Sequence, residues 1–446
     1  MIARRLVSMI AAWSACLPFA IHAETYRLTP DDDWFSVLCS RDLKPGDEVI
    51  LSEGTYSDPR RLSLSHRGTA EHPIVVRAAD DARVIITRPN AEANVVNIEG
   101  AQYFVLRGLE ITGGSSGIRI NQSSAGILAK FITLDGNHIH HVGGVGVTAN
   151  YPGTSYEGMH FLNNEIHDTA EEGEAFYLGC NNNECQFYDG IIERNYIHDL
   201  AGDKVAQGDG IEVKYGSYNN IIRDNVIHDT NYPGIIVYGT AGNGDPNVIE
   251  RNAIWNSGDH GIQAAADAII RNNLIFSTRG DGIHCRDHQG AVPGNLTIVN
   301  NTVRCDGRAV RIQSDHELSG PIVIANNALY PVGGQVFALS KSDRYSIVAN
   351  IGAGRTSEGL PATAFSPTGS LETDFVDFEE RNAFPADGSS LIGVASNKYL
   401  PADDFNQTHR GDSHDVGAYK FQSGGNPAGP VKRSRTSRST DDDSTN

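Results

Sequence analysis

Through the middle of the chain, apolar and polar residues alternate over runs of only three to five positions, and no run keeps a helical period. The runs are organised by a repeated phrase. Asn137, Asn164, Asn195, Asn225, Asn252, Asn273, Asn301 and Asn327 each open a segment of the form Asn-x-Ile-His-Asp or a close variant, at spacings of 27, 31, 30, 27, 21, 28 and 26 residues. A Gly-containing corner follows each phrase, then a second short strand such as Gly210–Lys214 or Gly234–Tyr238. A third strand leads into the next Asn. Three short strands per irregular turn predict the coil of an all-β, single-stranded, right-handed parallel β-helix. Propeller blades would need longer repeats joined by hairpin turns, and these are missing.

The repeat also explains the composition. Asn suits a corner where its amide bonds the next turn, the Ile two residues on points inward, and Gly allows the tight bend. Length alone (446 residues) suggests two or three domains; the repeat turns most of it into one solenoid spanning 44–350. An open solenoid end would template aggregation and needs a cover. Residues 24–43, with a helix over Asp31–Leu43 carrying Trp34, Phe35, Val37 and Leu38, predict an N-terminal helical cap. Residues 351–421 are expected to cap the far end or pack alongside it. The Gly/Ser/Arg/Asp-rich stretch 422–446 predicts disorder.

Residues 1–23 have the pattern of a signal peptide. Arg4 and Arg5 form a basic start, Leu6–Phe19 an apolar stretch too short and interrupted to span a membrane, and Ile21, His22 and Ala23 a cleavage site. The expectation is a secreted or periplasmic protein, monomeric and without a membrane span. Export permits disulfides. Five cysteines remain, so at least one thiol is free, and Cys180 and Cys185 bracket a polar loop that a disulfide would staple. No Cys/His spacing matches a zinc site.

Asp+Glu number 55 against Lys+Arg 36, a net charge of −19, which argues against nucleic acid and anionic membranes as partners. One face departs from that average. Aligning the strands after the corner puts Val147, Phe176, Ile211, Ile235, Ile262, Ile283 and Val310 in one inward column. Two outward columns follow. The first holds Thr148, Tyr177, Glu212, Ile236, Gln263, His284 and Arg311; the second holds Asn150, Gly179, Lys214, Tyr238, Ala265, Arg286 and Gln313. With long corner loops beside it, this polar, aromatic and partly cationic face fits an extended acidic polysaccharide. Tyr177, Gln263, Arg311 and Glu212 are the substrate-binding candidates.

The segment Gln207–Lys214 is the sharpest constellation. A lysine beside carboxylates can be only an ion pair. Its chemical reading is a base, Lys214, acting on a carbon acid, while Asp209, Glu212 or Glu174 holds a hard cation that neutralises the substrate carboxylate. Tyr238, one turn on, would protonate the leaving oxygen. His284, between Asp281 and Arg286, joins the catalytic candidates, and Arg286 offers a second source of neutralising charge. The recurrent His140, His167, His198 and His228 resemble a metal ladder. Trp255 and Phe276 continue their register, so the position asks for a flat stacking ring. Asp168, Asp199 and Asp229 read as corner residues.

Three phrases carry a family resemblance: Leu43–Tyr56 (LKPGDEVILSEGTY), Arg67–Ile74 (RGTAEHPI) and Leu106–Ile111 (LRGLEI). With the repeat, they make residues 43–350 resemble the pectate-lyase-like right-handed β-helix proteins, and specifically the alginate lyase and chondroitinase B group of polysaccharide lyases. The resemblance implies two calcium-binding acids ahead of a base Lys, with an Arg one turn later. It places Lys214 at the base and Asp209 at one calcium position. Gln207 stands where the other acid is expected and Tyr238 near the expected Arg, two departures from the group's pattern. The expected activity is β-elimination on a uronate-containing polysaccharide. Glycoside hydrolysis by a pair drawn from Glu174, Asp209 and Glu212, C5-epimerisation, and glycan binding without turnover remain as alternatives.

Overall fold

The computed structural model describes residues 23–356 and 358–432. The expected signal peptide, apart from Ala23, and the tail from 433 on lie outside the described residues.

The chain winds as a parallel β-solenoid of about 12 turns. Its three long sheets contain 15, 11 and 13 strands, each stacked in parallel on the strand one turn earlier. Each turn passes from the first sheet, through the Asn corner, to the third sheet, and then by a longer loop to the second. The turn containing Ile191–Glu193, Tyr196–His198 and Ile211–Val213 is typical. The inward column predicted for the second sheet is the observed one, with Val147, Phe176, Ile211, Ile235, Ile262, Ile283 and Val310 as direct partners. In the third sheet Ile139, Ile166, Ile197, Ile227, Ile254 and Ile275 form a second fully buried column. Burying such a side chain contributes roughly 1.5–3 kcal/mol, which fixes the register, because a slip by one residue would turn the whole column outward.

The corner asparagines form a ladder. Asn137 Nδ2 donates to Asn164 Oδ1 at 3.0 Å, Asn164 to Asn195 at 3.0 Å and Asn195 to Asn225 at 2.9 Å. The ladder continues through Asn252, Asn273, Asn301 and Asn327 to Asn350. Each amide also bonds a main-chain carbonyl, as Asn195 does with Phe161. Asp168, Asp199 and Asp229 are corner residues, with φ between 49 and 53°. Gly210 is required at the next bend, where a Cβ would come within 2.4 Å of the Gly234 carbonyl oxygen.

At the N-terminal end, a helix at Trp34–Cys39 buries Trp34, Phe35 and Leu38 against the core. The strand Thr25–Leu28 precedes it and pairs in register with Glu48–Leu51. Residues 24–43 therefore contribute the outermost strand of the first sheet, a role their short alternation, eclipsed by the aromatic helix, did not announce.

The C-terminal segment lies along the side of the solenoid. Phe375, Phe378, Phe384, Leu391, Val416 and Tyr419 pack on the outer face of the third sheet, against Trp255, Phe276, Tyr330 and Ile351. The buried Arg410 fastens it, donating to the carbonyls of Gly417 and Ala418 and to Asn272 Oδ1 of the solenoid. Residues 422–432 depart from the expected disorder. Val431 joins this apolar cluster, and its N–H donates to the Arg381 carbonyl at 3.2 Å. Asn426 adds a second anchor, donating to Asn382 Oδ1 at 2.9 Å and accepting from Asn406 at 3.0 Å.

The stacking column now has a reason for changing identity along its length. His140, His167, His198 and His228 stack face to face with ring centroids 4.6–5.4 Å apart, and Trp255 continues the stack at 4.5 Å. The column is histidine through the buried His228 and then holds Trp255, Phe276 and, past Arg304, Tyr330, where the C-terminal segment packs on it.

Candidate active site

The second sheet brings the sequence-predicted residues onto one face. Tyr177 pairs with Glu212, Glu212 with Ile236, Ile236 with Gln263, Gln263 with His284 and His284 with Arg311. Lys214 and Tyr238 follow the strand ends on successive turns, and Arg286 pairs with Gln313. Glu174 and Asp209 enter from the corner just before the strand.

Lys214 and Glu212 are both buried, with Nζ 2.5 Å from Oε1. The Tyr238 hydroxyl donates to the same oxygen at 2.6 Å. Two aromatic faces flank the ammonium, which lies 4.5 Å from the Tyr177 ring centroid and 4.9 Å from that of Tyr238. Burial alone would favour the neutral amine of Lys214, but the Glu212 charge and Tyr177 outweigh it and raise its pKa. Burial, followed by the Glu212 charge and hydrogen bond, pushes the Tyr238 hydroxyl far above its ordinary value, so it stays protonated.

Three carboxylates converge behind this trio. Glu174, Asp209 and Glu212 each place an oxygen within 4.8 Å of the others, and all three are buried. Both oxygens of Glu174, Oδ1 of Asp209 and Oε2 of Glu212 have no hydrogen-bond partner. Burial and the neighbouring Glu212 push the Glu174 carboxyl up to about 7, and burial with Glu212 and Glu174 raises Asp209 well above the carboxylate range. If all three ionised, one ammonium would leave two negative charges uncompensated, and buried charges of that kind are strongly disfavoured. Two protons or one divalent cation would relieve them. An all-oxygen donor set of this kind fits a hard cation such as calcium.

A second cluster sits two and three turns beyond Lys214. The Asp281 N–H donates to His260 Nδ1 at 2.9 Å, and His260 Nε2 lies 2.6 Å from His284 Nδ1. The first bond makes His260 Nδ1 an acceptor, so the proton of a neutral His260 is on Nε2 and is given to His284. His284 then carries its own proton on Nε2, a buried atom with no hydrogen-bond partner among the described residues. Burial and His260 hold the His284 pKa down to about 3. His284 thus presents a neutral N–H donor rather than a base. Arg311 lies 3.4 Å from Asp281, while Arg286 is exposed.

Loops roof the site. The disulfide Cys180–Cys185 closes the loop whose Asn181 accepts from Gln289 at 2.8 Å, and whose Asn183 accepts from Asn243 at 3.0 Å. His288, from the same loop as Gln289, stacks on Tyr238 with centroids 4.6 Å apart. Cys39, Cys285 and Cys305 are free thiols.

Sequence reasoning did not single out His260, His288 or Asp281's dual role. The first and last had a usable signal. Glu174, Asp209, Pro233, His260, Asp281 and Arg308 occupy one column, two residues ahead of the inward residue, as their carbonyl bonds to the preceding turn show. His288 sits in a loop, where register carries no information. An open cleft of about 510 Å³ runs elsewhere, along the corner lined by Asp229, Asn231, Ser257 and Thr278, and holds none of these residues.

Comparison with known proteins bears on the fold. Among curated proteins no sequence match was found. A structure of XylC in complex with xylose superposes with a TM-score of 0.60 at 10% identity, covering 90% of this chain and 99% of that one. The pectate lyase Pel9A gives 0.54 at 14% identity, covering 90% and 98%. A mutant of the PL6 family alginate lyase AlyGC gives 0.50 at 15% identity, covering 77% of this chain and 53% of that one. Among the described residues no helix is long and apolar enough to cross a membrane. The family described as "Right handed beta helix region" matches residues 83–244 and 157–350, and this chain belongs to it.

Proposed function

We propose that this chain is an exported, carbohydrate-active enzyme that β-eliminates a uronate-containing polysaccharide. The observation that carries the reading is the Lys214–Glu212–Tyr238 trio set against a cluster of buried, unpartnered carboxylate oxygens. Elimination needs a base at the carbon α to the uronate carboxylate, an acid at the departing glycosidic oxygen, and relief of charge on the carboxylate.

At rest Glu212 and Tyr177 hold Lys214 as the ammonium against burial. Lys214 would therefore first pass a proton to Glu212 Oε1, which it touches, and the neutral amine would then take the α proton. A double bond forms between the α and β carbons as the β C–O bond breaks. Tyr238, kept protonated, gives its proton to the departing oxygen. Glu212 Oε1 touches both groups and offers the Lys214 proton a route back to Tyr238. Glu174, Asp209 and Glu212 would hold a hard cation, and bound there it would neutralise the substrate carboxylate. His284 Nε2–H and Arg286 add a neutral and a charged donor on the same face, and Tyr177, Gln263 and Arg311 line it. For a polymer to reach the trio, the loop carrying Gln289 must part from the disulfide loop at the Gln289–Asn181 bond.

A specific observation also favours hydrolysis as the second reading. Glu174, with its pKa raised to about 7, is suited to act as a general acid, and Asp209 and Glu212 each bring a carboxylate oxygen within 4.8 Å of one of its own. Incubation with alginate, pectate and chondroitin distinguishes the two. Elimination yields unsaturated ends that absorb in the ultraviolet, and hydrolysis yields new reducing ends without that absorbance.

A further inference from the structure

The third sheet carries another gathering of ligating side chains, in turns that precede those covered by the C-terminal segment. Strands Glu110–Gly113, His138–His140, Glu165–His167 and Tyr196–His198 pair in register. Their outward positions form two adjacent columns. One is Thr112, His140, His167 and His198, and ring stacking accounts for its histidines. The other is Glu110, His138, Glu165 and Tyr196, which stacking does not explain.

His138 and His167 approach each other across the two columns, with Nε2 to Nε2 at 2.7 Å. A Glu165 carboxylate oxygen lies within 4.8 Å of the ligand nitrogens of both. All three residues are half-buried. Asp168 orients the His167 ring, in the same His–Asp contact that recurs at Asp199 and Asp229. It accepts from His167 Nδ1 at 2.7 Å, which places a proton on that nitrogen and turns the Nε2 lone pair toward His138. A carboxylate behind the far nitrogen is what orients metal-ligating imidazoles. Glu110 is engaged by Arg83 through two charged hydrogen bonds of 2.7 and 2.9 Å, so it is left out of the ligand set, whereas Glu165 has one longer contact, Oε1 3.3 Å from His198 Nε2.

We infer that His138, His167 and Glu165 form a binding site for a first-row divalent transition metal such as Zn²⁺, bridging two successive turns of the third sheet. Two imidazoles and one carboxylate suit such an ion, with a position left for water, and imidazole selects it over calcium or magnesium. The site is thereby chemically distinct from the all-oxygen cluster of Glu174, Asp209 and Glu212.

The test is a titration of untagged, chelator-stripped protein with Zn²⁺ against a chromophoric chelator, repeated with Co²⁺ and read by its visible absorption. One Zn²⁺ per chain is expected. The double variant His138→Ala/His167→Ala should bind at least about 100-fold more weakly, and Asp168→Asn, at an exposed side chain, about 10- to 100-fold more weakly. Glu174→Gln should leave Zn²⁺ binding and the Co²⁺ spectrum unchanged. The inference is overturned by an absence of stoichiometric binding, or by binding that survives the double variant or follows Glu174 instead. If the double variant does not fold, Asp168→Asn decides, and an unchanged affinity there counts against the site.

Discussion

Lys214 and Glu212 are buried together, Nζ 2.5 Å from Oε1, on neighbouring outward positions of one strand. The pair is internal to a single turn, and it meets the next turn through the Tyr238 hydroxyl, which donates to the same carboxylate oxygen. Any change to one member alters the charge state of the others.

Replacing Lys214 by Ala would leave a buried carboxylate uncompensated, at a cost of about 3–5 kcal/mol, and would confuse folding with chemistry. Lys214→Arg keeps the charge but cannot give up its proton at working pH. It should fold and lose about 10²- to 10⁴-fold of the elimination rate. Initial rates and thermal unfolding midpoints, taken in parallel, check this.

The carboxylate cluster makes stability depend on pH in a defined direction. Glu174 has its pKa raised from 4.5 to about 7 in the fold. Between those values the folded protein keeps a proton that the unfolded chain has lost, so stability falls as pH rises through the window, by an amount of order 3 kcal/mol. Asp209 acts in the same sense. Calcium should raise the unfolding temperature more at pH 8 than at pH 5, contributing about 2.7 kcal/mol at a hundredfold excess over its dissociation constant. Glu174→Gln should flatten the pH dependence and reduce the calcium effect. Differential scanning calorimetry of chelator-treated protein, with and without Ca²⁺, reads both.

The Asn ladder sets the stability of the solenoid. Asn195→Ala would remove the side-chain donor to the Phe161 carbonyl and the acceptor of the Asn164 N–H and amide, while Asn225 Oδ1 keeps its bond from the residue 195 N–H. A loss of about 2–5 kcal/mol is expected from buried groups left unpaired. Asn163→Gly, which tolerates the φ of 54° at the neighbouring half-exposed corner and loses only the bonds to Asp135 and Arg194, should cost under about 1.5 kcal/mol. Urea unfolding midpoints for the two variants provide the comparison.

The disulfide loop positions part of the roof. Cys180→Ser/Cys185→Ser should cost about 2 kcal/mol through chain entropy and loosen Asn181 from Gln289. Because that contact must part for a polymer to enter, a lowered KM, with kcat changed less, is the expected kinetic signature. Equal KM values in the two proteins would mean that the roof does not shape substrate binding.

Much of this was legible from the repeat. The Asn, Ile and Gly positions defined the turns, and the alternation in each strand placed Tyr177, Glu212, Gln263, His284 and Arg311 on one face. The charge state of Lys214 was not legible, because it depends on a 2.5 Å contact and on burial beneath loops from turns far along the sequence. The pairing of His260 with His284 crosses from one outward column to the column at the corner, where strand alternation no longer says which way a side chain points. The packing of residues 371–432 on the side of the sheet was hinted at by one substitution pattern, the change from His228 to Trp255 and Phe276. A stacking column turns apolar where something covers it.

The most direct test is the ultraviolet absorbance of products from a panel of polyuronates, measured for the unmodified protein and for Lys214→Arg. The account predicts absorbance from at least one polymer with the unmodified protein, and its near-complete loss in the variant. Reducing ends released without absorbance, or absorbance that persists in Lys214→Arg, would contradict it.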